Sequence, residues 1–283
     1  MSRNNEDRFG PRGDGGSESP AASSLPNPMD FVAPTEHVEL PSQGQGYPEG
    51  HPLCGEETVE IRFMTAKDED ILTSRSLLKK GLAIERLLSS LIYDQRIDAK
   101  SLLVGDRNAI IIAARRSAYG NIYSTKATCP NCTTVTPHDF DLNKAVVTSI
   151  EDLEDVGITK TDRGTFVCWL PKTEFKVEIR LLKGQDEVEM VAKAQKQNKK
   201  NSPERNVSDQ LKRFIVSVND FDTPKVINHV VENLTAVDSK YLRGVYRQCS
   251  PNIQIIDDFS CPACGYEQEL EVPFGADFFW PDR

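Results

Sequence analysis

Histidine is scarce in this sequence, at 4 of 283 residues, and aromatic side chains make up only 7%. The chain carries no HExxH, no GxSxG, no P-loop glycine pattern and no GxGxxG, so the common zinc-hydrolase, serine-hydrolase, phosphate-binding and dinucleotide-binding signatures are all missing. No catalytic residue and no enzymatic activity are expected. Positive charge is also in deficit. Lys and Arg number 34 against 43 Asp and Glu, for a formal net charge of -9, which argues against a surface that neutralises nucleic-acid phosphates. The short basic runs Lys79-Lys80, Arg115-Arg116 and Lys199-Lys200 read as solvated faces. No run of eighteen apolar residues occurs, and the opening "MSRNNEDRFGPRGDGG" has no apolar core of a signal peptide. A soluble protein made in a reducing cytoplasm is therefore expected, in which the seven cysteines serve as metal ligands and buried thiols instead of disulfides.

What the sequence does have is the same turn twice. "TCPNC" ends at Cys132 and "SCPAC" ends at Cys264. Two thiolates separated by two residues can grip one metal ion when a tight turn points both sulfurs inward, and Pro130 and Pro262 help preset that turn. Cys129, Cys132, Cys261 and Cys264 together make a four-sulfur set for one structural Zn²⁺ per chain. Such a shell is closed and leaves no position for a reactive water. A separate site in each half would need further ligands. His138 is available to the first half, and the second has no equivalent. A thioredoxin-like redox CxxC is disfavoured because such sites sit at a strand-to-helix junction, and strand-like sequence follows each turn here. After the second turn, Gln268, Leu270 and Val272 alternate with Glu267, Glu269 and Glu271, as a strand with one drier face would.

The cysteine turns close two longer stretches that can be laid over each other. "HVELPSQG" and "VEIRFMTAKDEDIL" in the first match "FVCWLPKT" and "VEIRLLKGQDEVEMV" in the second. Ile84, Leu87, Leu88, Leu91 and Ile92 share one helical face, and Leu211, Phe214, Ile215 and Val218 are expected to share another. A further helix begins in each half, near Asp106 and near Asp238, with the aspartate placed to cap its first turn. These helices should stop at Gly120 and before Pro251. The fold expected is α+β, with two pseudo-repeated units, each a β-hairpin, about three helices and a cysteine-turn hairpin, joined by a shared zinc-ribbon-like site. The boundaries read as a disordered arm at 1–36, a first unit at 37–142, a linker at 143–164, a second unit at 165–273 and an aromatic tail at 274–283. A polar insertion, "QKQNKKNSPERNV", accounts for the greater length of the second unit. Cys168 and Cys249 read as core residues, and Cys54 lies in a loop.

The tail "VPFGADFFWPDR" ends the chain with three consecutive aromatics, unusual where termini tend to be polar and mobile. Phe278, Phe279 and Trp280 either fold back over the protein's own sheet or anchor a partner, as aromatics filling a pocket do.

The runs "VELPSQGQGYPEGHPL", "VEIRFMTAKDEDILTSRSLLKKGLAIERLLSSLI" and "LLVGDRNAIIIAAR", with the two cysteine turns and "FFWPD", resemble the baseplate hub proteins of T-even-type contractile-tailed bacteriophages, from about residue 38 to the end. The resemblance implies a hub component or hub assembly factor, found in the virion tail baseplate and assembled in the host cytoplasm. Its partners would be other phage baseplate or tail proteins. No nucleic acid, membrane or small-molecule substrate is expected. A nucleic-acid-binding zinc ribbon is the alternative, with the net charge and the acidic residues Glu267, Glu269 and Glu271 against it.

Overall fold

The computed structural model describes residues 28–150, 153, 157–190, 206–272, 274 and 276–279. Two compact units divide the chain at Val32 and Ala33. Of the first, the described part is a short 3-10 turn, Pro28–Asp30, followed by the exposed side chains of Phe31 and Val32. Most of the arm expected at 1–36 thus lies outside the described residues, and its last two positions begin the first strand.

The second unit is a mixture of helices and small antiparallel sheets, which is the α+β class expected. β1 (Thr35–Glu39) pairs with β2 (Thr58–Arg62). Three short helices follow, α1 (Ala66–Thr73), α2 (Arg75–Lys80) and α3 (Ala83–Leu91), and then the longer α4 (Val104–Tyr119). The α3 stripe Ile84, Leu87, Leu88 and Leu91 is buried as its period requires, and Ile92, one residue past the helix, bridges Ile61 of β2. α4 ends where expected. Gly120 follows it at φ 85, a left-handed conformation that costs a residue with a Cβ. β3 (Ile122–Thr128) and β4 (Val135–Asp141) form the first cysteine-turn hairpin.

The stretch read as a linker contributes two strands. β5 (Val146–Thr148) and β6 (Thr159–Lys160) each join a sheet of the later chain. β7 (Thr165–Trp169) and β8 (Lys176–Arg180) pair with each other, and the four-stranded sheet runs β6, β7, β8, β9. α5, described over 184–190, follows β8. The polar insertion lies outside the described residues up to position 205. α6 (Asn206–Phe214) leads directly into β9 (Ile215–Val218). Here the expected helical face of Leu211, Phe214, Ile215 and Val218 is corrected. The helix stops at Phe214, and the β-branched run from Ile215 is drawn into an open edge of β8, where Ile215 pairs with Ile179 and Val218 with Val177. α7 (Pro224–Asn233) and α8 (Ala236–Cys249) precede β10 (Asn252–Gln254), which pairs with β5. β11 (Ile256–Ser260) and β12 (Glu267–Glu271) make the last hairpin.

One apolar core runs through both halves, with Ile61, Leu87 and Ile110 from the first and Phe166, Phe214 and Leu242 from the second all fully buried. Cys168 and Cys249 belong to it, and burial pushes both thiols up to about 12, so neither offers a thiolate at neutral pH. The halves also exchange main-chain hydrogen bonds. The Val104 amide donates to the Leu182 carbonyl and the Gly184 amide to the Leu102 carbonyl. Beside them Gly105 lies so close to Pro251 that an added Cβ would sit 2.2 Å from its carbonyl oxygen.

Candidate metal centre

Each cysteine hairpin closes in the same way. In the first, the Cys129 amide donates to the Thr134 carbonyl and the Thr133 amide to the Cys129 carbonyl. In the second, the Cys261 amide donates to Tyr266 and the Gly265 amide to Cys261. The fourth residue after the first cysteine is left-handed in both, Thr133 at φ 58 and Gly265 at φ 69. These bonds fix the turn and aim both sulfurs to one side.

The two turns meet. Cys129 Sγ is 3.7 Å from Cys264 Sγ, and Cys132 Sγ is 3.6 Å from Cys261 Sγ. All four sulfurs lie within 4.8 Å of one another, and among the described residues this is the one group of three or more potential ligands close enough to share an ion. A tetrahedral shell with metal–sulfur distances of about 2.3 Å needs sulfurs about 3.8 Å apart, so the donor set and its spacing fit a Zn²⁺-sized ion. The Thr134 hydroxyl lies 3.2 Å from Cys132 Sγ. Together with the Thr134 amide and the neighbouring Cys264 and Cys261 sulfurs, it draws the Cys132 thiol down to about 6, which favours the ligating thiolate.

Under the sulfurs Ala127, Cys129, Phe259 and Cys261 form a small apolar cluster of their own. His138, the third ligand a separate first-half site would need, points elsewhere. Its Nε2 lies 3.6 Å from Asp257 Oδ2 of the second hairpin, and its ring meets Phe140 and Phe259 edge-on. The outer face of that second hairpin is acidic. Asp258 stands directly opposite Glu269 on a surface that also carries Glu267 and Glu271.

Phe278 and Phe279 are buried, at 1% and 2% exposure. The Phe278 ring packs 4.9 Å from Tyr123 and 5.4 Å from Phe274, and its carbonyl accepts from Arg115 Nε. Both rings are thus spent inside the chain's own core, and Trp280 lies outside the described residues.

Two part-buried ion pairs escaped the sequence reading. Arg62 grips Asp68 through both guanidinium ends at 2.7 and 2.8 Å, and Arg180 grips Asp186 at 2.7 Å twice. The second oxygen in each case also takes a main-chain amide, from Thr65 and from Lys183. Burial works to raise both carboxyls, but these hydrogen bonds outweigh it and hold them below the usual carboxylate range. The signal was present, since each VEIR arginine is followed six residues later by an aspartate.

The helix aspartates need a correction. Asp106 and Asp238 sit at the third helical position and do not act as N-caps. Each reaches across to the loop after its half's first strand. Asp106 accepts from the Ser42 amide, the Ser42 hydroxyl and the Tyr47 hydroxyl, whereas Asp238 accepts from the Lys172 amide and the Thr235 hydroxyl.

Away from the sulfurs, a groove of about 660 Å³ opens between the halves, with Leu78, Ile84, Met190, Tyr246 and Phe274 in its largely apolar wall and the Arg107–Glu187 ion pair at its side. Among the described residues no helix is long and apolar enough to cross a membrane. A family model described as T4 bacteriophage base plate protein matches residues 33–280. Comparison with curated proteins and with solved structures gives no match.

Proposed function

We propose, for a chain that belongs to the T4 bacteriophage base plate protein family, a structural or assembly role in the hub of a contractile tail's baseplate, exercised through protein–protein contacts and stiffened by one zinc ion. The observation that carries this reading is the meeting of four sulfurs, two from each half of a base plate protein, within 4.8 Å. A four-thiolate shell is closed, so the ion serves the fold. Binding free energy on the order of 10 kcal/mol would act as folding free energy and hold two halves in one shape while a larger ring assembles around them.

The two halves are read as an internal duplication. Supporting it are the matched Arg62–Asp68 and Arg180–Asp186 pairs, the third-position aspartates that both reach to the loop following "LP", and the identical closure of the cysteine turns. Of the aromatic tail, Phe278 and Phe279 act as internal anchors and Trp280 remains the proposed partner contact. The acidic outer face of the last hairpin favours protein partners over nucleic acid.

Mass spectrometry of purified phage particles, combined with zinc analysis of the isolated protein, tests the reading. A low fixed copy number and one zinc per chain are expected for a resident hub component. Presence only in infected cells would make the chain an assembly factor that departs. Two zincs per chain, or none, would overturn the shared site.

A further inference from the structure

The four sulfurs are not equally accessible. Cys129 and Cys261, the first cysteine of each turn, are buried at 0% and 1% exposure. Cys132 is half-buried, and Cys264 is exposed. A solvent-borne electrophile therefore meets Cys264 first. The sulfur facing Cys264 at 3.7 Å is Cys129, from the other half of the chain. The side-chain amide of Asn131, also in the first half, lies 3.6 Å from the same sulfur. Both hydrogen-bond-range contacts of the exposed sulfur thus come from the first half, while all four sulfurs stay within 4.8 Å of one another.

We infer that Cys264 is the sulfur through which hydrogen peroxide opens this site, and that its disulfide partner is Cys129. The Cys264 thiolate attacks one peroxide oxygen. An S–O bond forms, the O–O bond breaks and hydroxide leaves, giving a sulfenic acid. The Cys129 thiolate then attacks that sulfur, the S–S bond forms, the S–O bond breaks and a second hydroxide leaves. Two thiolates are oxidised, one hydrogen peroxide is reduced, and two solvent protons neutralise the hydroxides. The sulfurs close from 3.7 Å to about 2.05 Å, a short movement for a side chain on an exposed turn. With two of its four ligands gone, the zinc leaves.

Resting on the zinc reading above, this exchange has a definite result. A protein built in a reducing cytoplasm and then released with the particle into oxidising surroundings would trade a metal clamp for a covalent one, because the bond formed joins the same two halves.

The test uses the full-length chain. Zinc content is measured first, substoichiometric hydrogen peroxide is then added with a chromogenic chelator present, and the first disulfide is identified by mass spectrometry of a non-reduced digest. The expected result is Cys129–Cys264, with zinc released in step with it, and no early modification of Cys261. Any other first disulfide would overturn the inference, whether within one turn, Cys261–Cys264 or Cys129–Cys132, or between turns, Cys132–Cys264, Cys132–Cys261 or Cys129–Cys261. A chain isolated without zinc would sink the metal reading alone, since the order of oxidation and the pairing are read equally well in the metal-free protein.

Discussion

The aspartate at the third position of α4 and its counterpart in α8 are both fully buried, yet their carboxyls move in opposite directions. Burial raises Asp106, and three neutral donors from Ser42 and Tyr47 only partly offset it. At Asp238 burial also pulls upward, but hydrogen bonds led by the Lys172 amide and the Thr235 hydroxyl win, and the carboxyl falls. The difference lies in what covers them. Between β1 and β2 the chain makes a long loop that lays Tyr47, itself 2% exposed, over Asp106. Between β7 and β8 there is only a short turn, closed by the Leu170 amide on Phe175 and the Glu174 amide on Leu170. The same helical position can therefore anchor the same kind of loop while the carboxyl shifts upward in one half and downward in the other.

The largest expected effect treats the halves as equals. If one ion is shared, Cys129→Ser and Cys264→Ser should each lose zinc and destabilise the chain to a similar degree, on the order of 10 kcal/mol at full effect. Thermal unfolding with and without a strong chelator reads this, and a silent variant in either half would break the equivalence. Next come the ion pairs, where the halves should separate. Asp68 is wholly buried beside an Arg62 that is 25% exposed, whereas Asp186 and Arg180 are 12% and 34% exposed. Asp68→Asn should cost about 3–5 kcal/mol in denaturant unfolding and Asp186→Asn about 1–2 kcal/mol less than that. Equal losses would mean that the difference in exposure carries no energetic weight.

A smaller and opposite pair of effects comes from two helix glycines. Gly105→Ala drives a Cβ against the Pro251 main chain at 2.2 Å and should destabilise by about 1–3 kcal/mol. Gly244→Ala in α8 meets nothing within 4 Å and should stabilise by about 0.5–1 kcal/mol. The smallest effect is in pH dependence and sharpens the aspartate comparison itself. An unfolded aspartate titrates near about 3.9. Asp238, depressed in the fold, contributes stability that is present above that value and lost as pH falls through its lower folded one. Asp106, raised, contributes stability that is present below it and lost as pH rises through its higher folded one. Relative to wild type, Asp106→Asn should therefore gain stability as pH climbs above about 4, while Asp238→Asn should gain only on acidification below it. Parallel curves for the two variants would refute the opposed shifts.

The cysteine turns were legible in the sequence because their chemistry is local and repeated, and a strand on either side of CxxC leaves few ways to fold. The α3 stripe and the ends of α4 and α8 were legible for the same reason. The boundary between α6 and β9 was not. A run such as "FIVSV" suits a buried helix or a buried strand equally, and the open edge of β8 decides between them. β5 and β6, three and two residues long, carry no period, and they exist because another strand offers them hydrogen bonds. Asp106 was misread since a capping role is a local inference, while the side chain answers to Ser42 and Tyr47, 64 and 59 residues away.

The main-chain bonds from Val104 to Leu182 and from Gly184 to Leu102 place part of the molecule's connectivity in hydrogen bonds instead of peptide bonds. With β10 paired to β5 and Gly105 seated on Pro251, each half is a template for the other. A chain interrupted between β5 and β6 should consequently behave as a complementing pair of fragments, migrating as one particle under native conditions and as two only when denatured.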